Sequence, residues 1–295
     1  LGGQSNMDGY GYVKELPDDL GGPVHGVMIF HGNTGTDGNP VDGRGVWSQL
    51  RPGHGVGFQS DGKKNVESDR FGAELTFGRR MRELYPDANI ALIKYSKGGT
   101  SIDQRAAGTL GCWDPDYNGG SGLGKGVNQY DHFLATIRNA TAIDDIDGDG
   151  ENDTLLPTGI AWMQGESDAI FGPDVAESYH SNLKRLMDLV RAALRHDDLP
   201  VVIGRIKDSG RITGKQMMKH GDVVRAAQAA FVKTDGRAIL VTSTDGYEFS
   251  DVWHYDSPAY IDLGRQFANA LAELQKPSHV AQPCPPSTTP QPSSK

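Results

Sequence analysis

One pattern restricts the fold of this chain more than any other: strand-length apolar runs alternate with long amphipathic stretches. The runs are "VHGVMIF" (24–30), "NIALIKYS" (89–96), "TGIAWMQG" (158–165), "PVVIGRIK" (200–207) and "AILVTSTD" (238–245). They are continuous in Val, Ile and Leu rather than alternating, as strands of a parallel sheet covered on both faces must be. Between and after them lie segments with helical spacing, at 73–85, 130–143, 175–194, 221–233 and 257–275. This order predicts a three-layer α/β/α sandwich, built on a parallel sheet of about five strands joined by right-handed crossovers.

One domain over residues 1–275 is the simplest account of 295 residues without an internal repeat. Residues 276–295, ending "PCPPSTTPQPSSK", form a Pro/Ser/Thr-rich tail or linker that cannot build a core. Many of the 39 glycines fall in two long irregular insertions, roughly 31–70 and 98–127, the kind of loop that carries binding groups. The balance of 29 basic and 38 acidic residues gives a net charge of -9 with no basic block, which argues against nucleic acid or an anionic membrane as partner. No apolar run approaches the roughly 20 residues that span a bilayer. Leu1 is the only apolar residue before the first polar turn, so the strand expected to lead into that turn is truncated and targeting is left open. Cys112 and Cys284 leave both a disulfide and two free thiols open.

In open α/β sheets, ligands bind beyond the carboxyl ends of the strands. Polar groups follow the strand ends here: "SKGGTSI" (96–102), "QGESD" (164–168) and "DGYEFSDVWHYD" (245–256), beside an N-terminal "GQSNM" (3–7). These are the types of group that acyl transfer from an ester needs. A serine such as Ser5 becomes a nucleophile when a base removes its proton, and histidine titrates near neutrality. Asp251 and His254 are three residues apart, so one turn brings the carboxylate to Nδ1 and leaves Nε2 for Ser5. Oxyanion donors are available in the N–H groups of Ser5 or Asn6, those of Gly98 or Gly99, and the Gln164 amide. Each piece alone has a plainer reading. G-x-S is a common turn, Asp251 could cap the next helix, Glu166 could cap another, and a glycine pair usually marks a turn. Their joint occurrence, each at a strand end, favours the catalytic reading.

GQSN, K-G-G-T-S, W-x-Q-G-E-S-D and the late D-x-x-H together resemble the sialate O-acetylesterase-like branch of the SGNH (GDSL-type) hydrolases, which includes acetylxylan esterases of carbohydrate esterase family six. The resemblance runs from Leu1 to about Gln275. It implies a flavodoxin-like sandwich, Ser5 as nucleophile, His254 as base and Asp251 as the acid that orients it. It further implies Glu166 as a fourth catalytic group, and an oxyanion hole of Ser5, Gly99 and Gln164. The implied activity is removal of O-acetyl groups from a carbohydrate such as acetylxylan or acetylated sialic acid, with no cofactor needed for catalysis. A general short-chain esterase or thioesterase, and a non-catalytic calcium-stabilised carbohydrate-binding module, are the alternatives.

"DIDGDGEND" follows a calcium-loop pattern, with Asp145, Asp147 and Asp149 at positions one, three and five, the Glu151 carbonyl seventh and Asp153 ninth. Leu156 stands where a bidentate acid belongs. A solvated acidic turn is the plainer reading. Crowding so many carboxylates without a cation is costly, so a structural Ca²⁺ is expected. "GGSGLGKG" (119–126) nearly matches a phosphate loop but lacks the Ser/Thr and the preceding strand, so nucleotide binding is rejected. Trp113, Tyr117 and Trp253 are candidates to stack on a sugar ring. His31, His54 and His180 show no ligand spacing, and no zinc site is expected. Calcium, glycan chemistry and the Pro/Thr tail together lead to the expectation of a secreted or periplasmic protein.

Overall fold

A computed structural model describes residues 1–33, 43–119, 126–210 and 216–276. Among these, the main sheet has seven strands: β1 (Gly2–Gly3), β2 (Val27–His31), β3 (Ser48–Gln49), β4 (Ile90–Ser96), β5 (Ile160–Met163), β6 (Val201–Gly204) and β7 (Ala238–Val241). Their spatial order is β7-β6-β5-β1-β4-β2-β3, and every pairing is parallel except β2 with β3. All five apolar runs of the sequence therefore supply parallel strands. The sheet is wider than about five because two additional strands of two residues each join it. β1 occupies the centre, between β4 and β5, with Gly2 opposite Tyr95 and Trp162 and Gly3 opposite Ser96 and Met163.

Seven helices are described: α1 (Ser5–Asp8), α2 (Glu74–Leu84), α3 (Gln129–Thr141), α4 (Glu166–Phe171), α5 (Pro173–Ala193), α6 (Gly221–Asp235) and α7 (Ser257–Gln275). Their boundaries follow local chemistry. Asn128 caps α3 by accepting from the N–H groups of Tyr130 and Asp131, and Asp256 caps α7 by accepting from that of Ala259. α4 stops at Gly172 because Pro173 has no N–H with which to continue it and instead opens α5. α2 packs against α7 and α5 against α6, flanking the sheet.

Val27, Ile29, Val201, Val202 and Ile203 are fully buried, and the core they join runs through Trp162, Leu183, Leu263 and Phe267. Burying an aliphatic side chain of this size contributes roughly 1.5–3 kcal/mol. No helix among the described residues is long and apolar enough to cross a membrane. Cys112 is a buried free thiol whose pKa burial pushes up to about 12, while Cys284, the tail from residue 277 and most of "GGSGLGKG" lie outside the described residues.

Candidate active site

The turn that carries Ser5 exists because Gly3 ends β1 in a conformation closed to other residues. Its φ is +144°, and a Cβ there would sit 2.0 Å from Met163 O. The chain then enters α1, where the N–H groups of Met7 and Asp8 both reach Gln4 O at 2.8 Å. Ser5, first in that helical turn, is 7 % exposed. A cavity of 340 Å³ opens beside it. Its walls include Ser5, Asp8, Tyr10, Lys97, Gly98, Gly99, Glu166, Trp253 and His254, so the segments that follow β1, β4, β5 and β7 meet there.

The bend at 249–255 brings Asp251 and His254 together. Asp251 Oδ1 accepts from the N–H groups of Trp253 at 2.7 Å and His254 at 2.8 Å, and Oδ2 meets His254 Nδ1 at 2.7 Å. α7 is capped by Asp256, so Asp251 is not spent as a helix cap. Burial acts to raise the Asp251 pKa, but the imidazole and the two backbone N–H groups outweigh it and hold the carboxyl below its ordinary range. Ser5 and His254 line the same cavity, and no hydrogen bond joins them among the described residues. Catalytic contacts of this kind often tighten only when substrate binds.

Beside Ser5, a Cβ built on Gly98 would lie 3.3 Å from Ser5 Cβ. Gly99 has φ +71°, so this wall needs glycine for its backbone as well as for its space. Asp8, on the same helical turn as Ser5, has its pKa pushed up to about 6 by burial, against the opposing charges of Lys94 and Lys97.

The structure corrects three expectations. Gln164 is fully buried and is not part of the cavity wall. Its two amide hydrogens have acceptors in Asp168 Oδ2 at 2.6 Å and Thr100 O at 3.1 Å, so it is not an oxyanion donor. Trp113 is 1 % exposed, donates to Thr100 Oγ1 and packs edge-on against Trp162, while Tyr117 lies buried beside Ala107 and Cys112. Neither is available to stack on a sugar. Trp253, by contrast, is 36 % exposed and lies on the cavity wall.

Glu166 lies on the cavity wall, and its side-chain hydrogen bond goes to Asn6 rather than to the histidine. Its Oε1 accepts from Asn6 Nδ2 at 2.8 Å, and burial raises its pKa. Asn6 also donates to Trp253 O at 3.2 Å and accepts from Tyr255 N at 3.3 Å and Tyr260 Oη at 2.8 Å. It thereby ties the serine turn to the residues on either side of His254. The sequence pattern carries no signal for this, since the partners lie about 250 positions away. Asp168 was missed for the same reason: it accepts from Gln164 and from the N–H groups of Ile102 and Asp103, stapling the glycine loop to α4.

The acidic loop brings Asp145, Asp147 and Asp149 together, with one oxygen of each within 4.8 Å of the others. Asp153 and the Glu151 carboxylate are not in that group; Asp153 Oδ2 accepts from Ile146 N at 2.9 Å. The donor set is three mostly exposed carboxylates, hard oxygen ligands of the kind that suit Ca²⁺ but too few to saturate it.

The fold is an α/β sandwich on a mainly parallel sheet, with the cavity beyond the carboxyl ends of its strands. The profile of the carbohydrate esterase, sialic acid-specific acetylesterase (SASA) family matches residues 1–273. The chain belongs to that family and is a carbohydrate acetylesterase. Among solved structures, it is similar to a protein from Arabidopsis thaliana, at 20 % identity with a TM-score of 0.64 over 92 % of this chain and 96 % of that one. It is also similar to the carbohydrate acetylesterase XAC1771 from Xanthomonas citri, at 15 % identity and TM-score 0.61, over 92 % of this chain and 55 % of that one. NanS matches at 17 % identity and TM-score 0.57, over 92 % and 95 % of the two chains. At these identities the likeness concerns the fold. No curated protein sequence matches.

Proposed function

We propose that this acetylesterase works through Ser5, forming an acetyl-enzyme on an O-acetylated glycan such as acetylxylan or an acetylated sialic acid. The observation that carries the reading is the Asp251–His254 pair, joined at 2.7 Å, whose histidine lies on the wall of the cavity that Ser5 also lines. In this mechanism His254 Nε2 takes the Ser5 hydroxyl proton as Oγ attacks the acetyl carbonyl. The tetrahedral oxyanion is received by the backbone N–H of Ser5 and by the Gly98–Gly99 segment. Collapse breaks the ester bond, and the sugar oxygen leaves with the proton from His254. Water, deprotonated by the same imidazole, then attacks the acetyl carbonyl and releases acetate and free Ser5. Asp251 holds the imidazole in its tautomer throughout, and Glu166 acts through Asn6 by holding the two loops together.

In this reading Trp253, which lines the cavity, stacks on the sugar ring. Aliphatic Leu110 and Ile170 on the same walls favour a second reading, a general short-chain esterase. A series of 4-nitrophenyl esters separates the two. The carbohydrate reading requires acetyl to be preferred over butyryl and longer chains; the reverse order sinks it. A structural Ca²⁺ on Asp145, Asp147 and Asp149, and secretion or a periplasmic location, belong to this proposal as parts still to be measured.

A further inference from the structure

His254 needs more restraint than Asp251 supplies. The carboxylate holds Nδ1, but one contact at the ring edge leaves the imidazole free to swing about that contact. The second restraint lies on the ring face. The Tyr10 ring covers the imidazole with centroids 3.5 Å apart and planes within 4°. The His254 side chain is 13 % exposed although Asp251 is 50 % exposed, so the histidine owes its burial to something other than its carboxylate partner.

Tyr10 is itself held. Arg70 Nη1 donates to its carbonyl at 2.8 Å, and the next two residues, Gly11 and Tyr12, pair with Phe71 and Arg70. Upstream, Gly9 N closes the serine turn on Ser5 O at 2.9 Å. The segment that presents Ser5 therefore also presents, five residues on, the plate against which the histidine rests.

We propose that Tyr10 is a positioning residue for His254, its ring fixing the plane of the imidazole and stabilising the imidazolium that forms during catalysis. The inference rests on the serine-esterase reading. The physical reason is twofold. A stacked ring restricts rotation about the Cβ–Cγ bond, and the electron-rich face of a phenol attracts a cation placed over it. The titratable and charged groups sharing the cavity with His254 are Asp8, Lys97 and Glu166, with Asp251 behind it; Tyr10 is the one described in face contact with the ring.

The test compares Tyr10→Phe, Tyr10→Leu and Tyr10→Met with wild type on 4-nitrophenyl acetate. The His254 pKa is followed in parallel by NMR titration, its signal assigned by loss in His254→Gln. Tyr10→Phe keeps the stack and should stay within about threefold of wild type with the His254 pKa unchanged. Tyr10→Leu and Tyr10→Met, both melting cooperatively, should lose about tenfold or more in kcat with KM little changed. Their His254 pKa should fall by roughly half a unit, the size expected from losing a partly exposed cation–π contact. Wild-type kcat and pKa in both non-aromatic variants would overturn the proposal. So would a loss in Tyr10→Phe equal to theirs, because the hydroxyl and not the ring would then matter. Ser5→Ala is run alongside: if it retains the wild-type rate, the serine reading fails, and the NMR shift alone still decides whether Tyr10 tunes the histidine.

Discussion

Beneath the serine turn lies a buried ion pair whose removal has a size that can be worked out. Lys94 and Glu74 have side chains with no exposure, and Nζ meets Oε2 at 2.8 Å. The ammonium's other acceptors are Asp8 O at 2.8 Å and His54 O at 2.6 Å, so all three of its protons are used. Glu74 Oε1 accepts from Gly72 N at 2.8 Å. Lys94→Met would leave the Glu74 carboxylate buried with that single N–H, and two carbonyls without their donor. Breaking such a pair from one side costs about 3–5 kcal/mol. For a domain of this size each kcal/mol shifts Tm by roughly 2 °C, so a fall of about 6–10 °C is expected. Lys94→Met combined with Glu74→Leu removes both charges from the dry site and should recover most of the stability. It should not recover activity, because Asp8 O, at the end of the serine turn, remains unanchored. We expect about a tenfold loss in kcat for 4-nitrophenyl acetate in both variants. Thermal and urea unfolding with parallel kinetics reads all of this. A Lys94→Met protein within about 1 kcal/mol of wild type, or a double variant no more stable than the single, would refute the reasoning.

Further outcomes follow from the same geometry. Burial first, then the charges of Lys94 and Arg51, push the His54 pKa from 6.5 down to about 3. The unfolded chain therefore binds the proton that the folded one refuses, and stability is lost as pH falls below about 6.5. Neither ring nitrogen of His54 has a partner and the ring stacks on Phe58, so His54→Phe sacrifices no hydrogen bond. Its stability relative to wild type should rise by roughly 2–3 kcal/mol between pH 7 and about pH 4.5, read from urea midpoints; a constant difference would contradict this. Gln164→Leu should cost stability through Asp168 and Thr100 yet lower kcat by less than about tenfold, whereas loss of an oxyanion donor costs about 10²–10³. Excess Ca²⁺ should raise Tm by a few degrees over EGTA in wild type and not in Asp147→Ala, as mass action on a folded-state site requires. Equal Tm values would leave the loop a solvated acidic turn.

The five long helices α2, α3, α5, α6 and α7 were legible to within about two residues at each end because their amphipathic spacing is sustained, whereas the short α1 and α4 are too brief to show a period. The five apolar runs were legible as buried parallel strands for the same kind of reason. β1 and β3 were not, since Gly2–Gly3 offers no side chains to pattern and Ser48–Gln49 is too short to show a period. At the site, motif order led to the residues that meet in one cavity, Ser5, Gly99, Glu166 and His254, with Asp251 bonded behind the histidine. It could not tell which polar atoms were already bonded. Gln164 and Glu166 stand two residues apart after the same strand, yet one amide is used up internally and the other side chain reaches the cavity. Nor do aromatic residues in a glycine-rich loop announce their burial, which is why Trp113 and Tyr117 read as sugar platforms and proved to be core. Tyr10, Asn6 and Lys94 act through partners distant in sequence, where local pattern carries no information.

The most direct measurement is hydrolysis of 4-nitrophenyl acetate by wild type and Ser5→Ala. The account predicts turnover by wild type and a fall of several orders of magnitude in the variant, with folding unchanged. Equal rates would make the GQSN segment an ordinary turn and contradict the mechanism built on it.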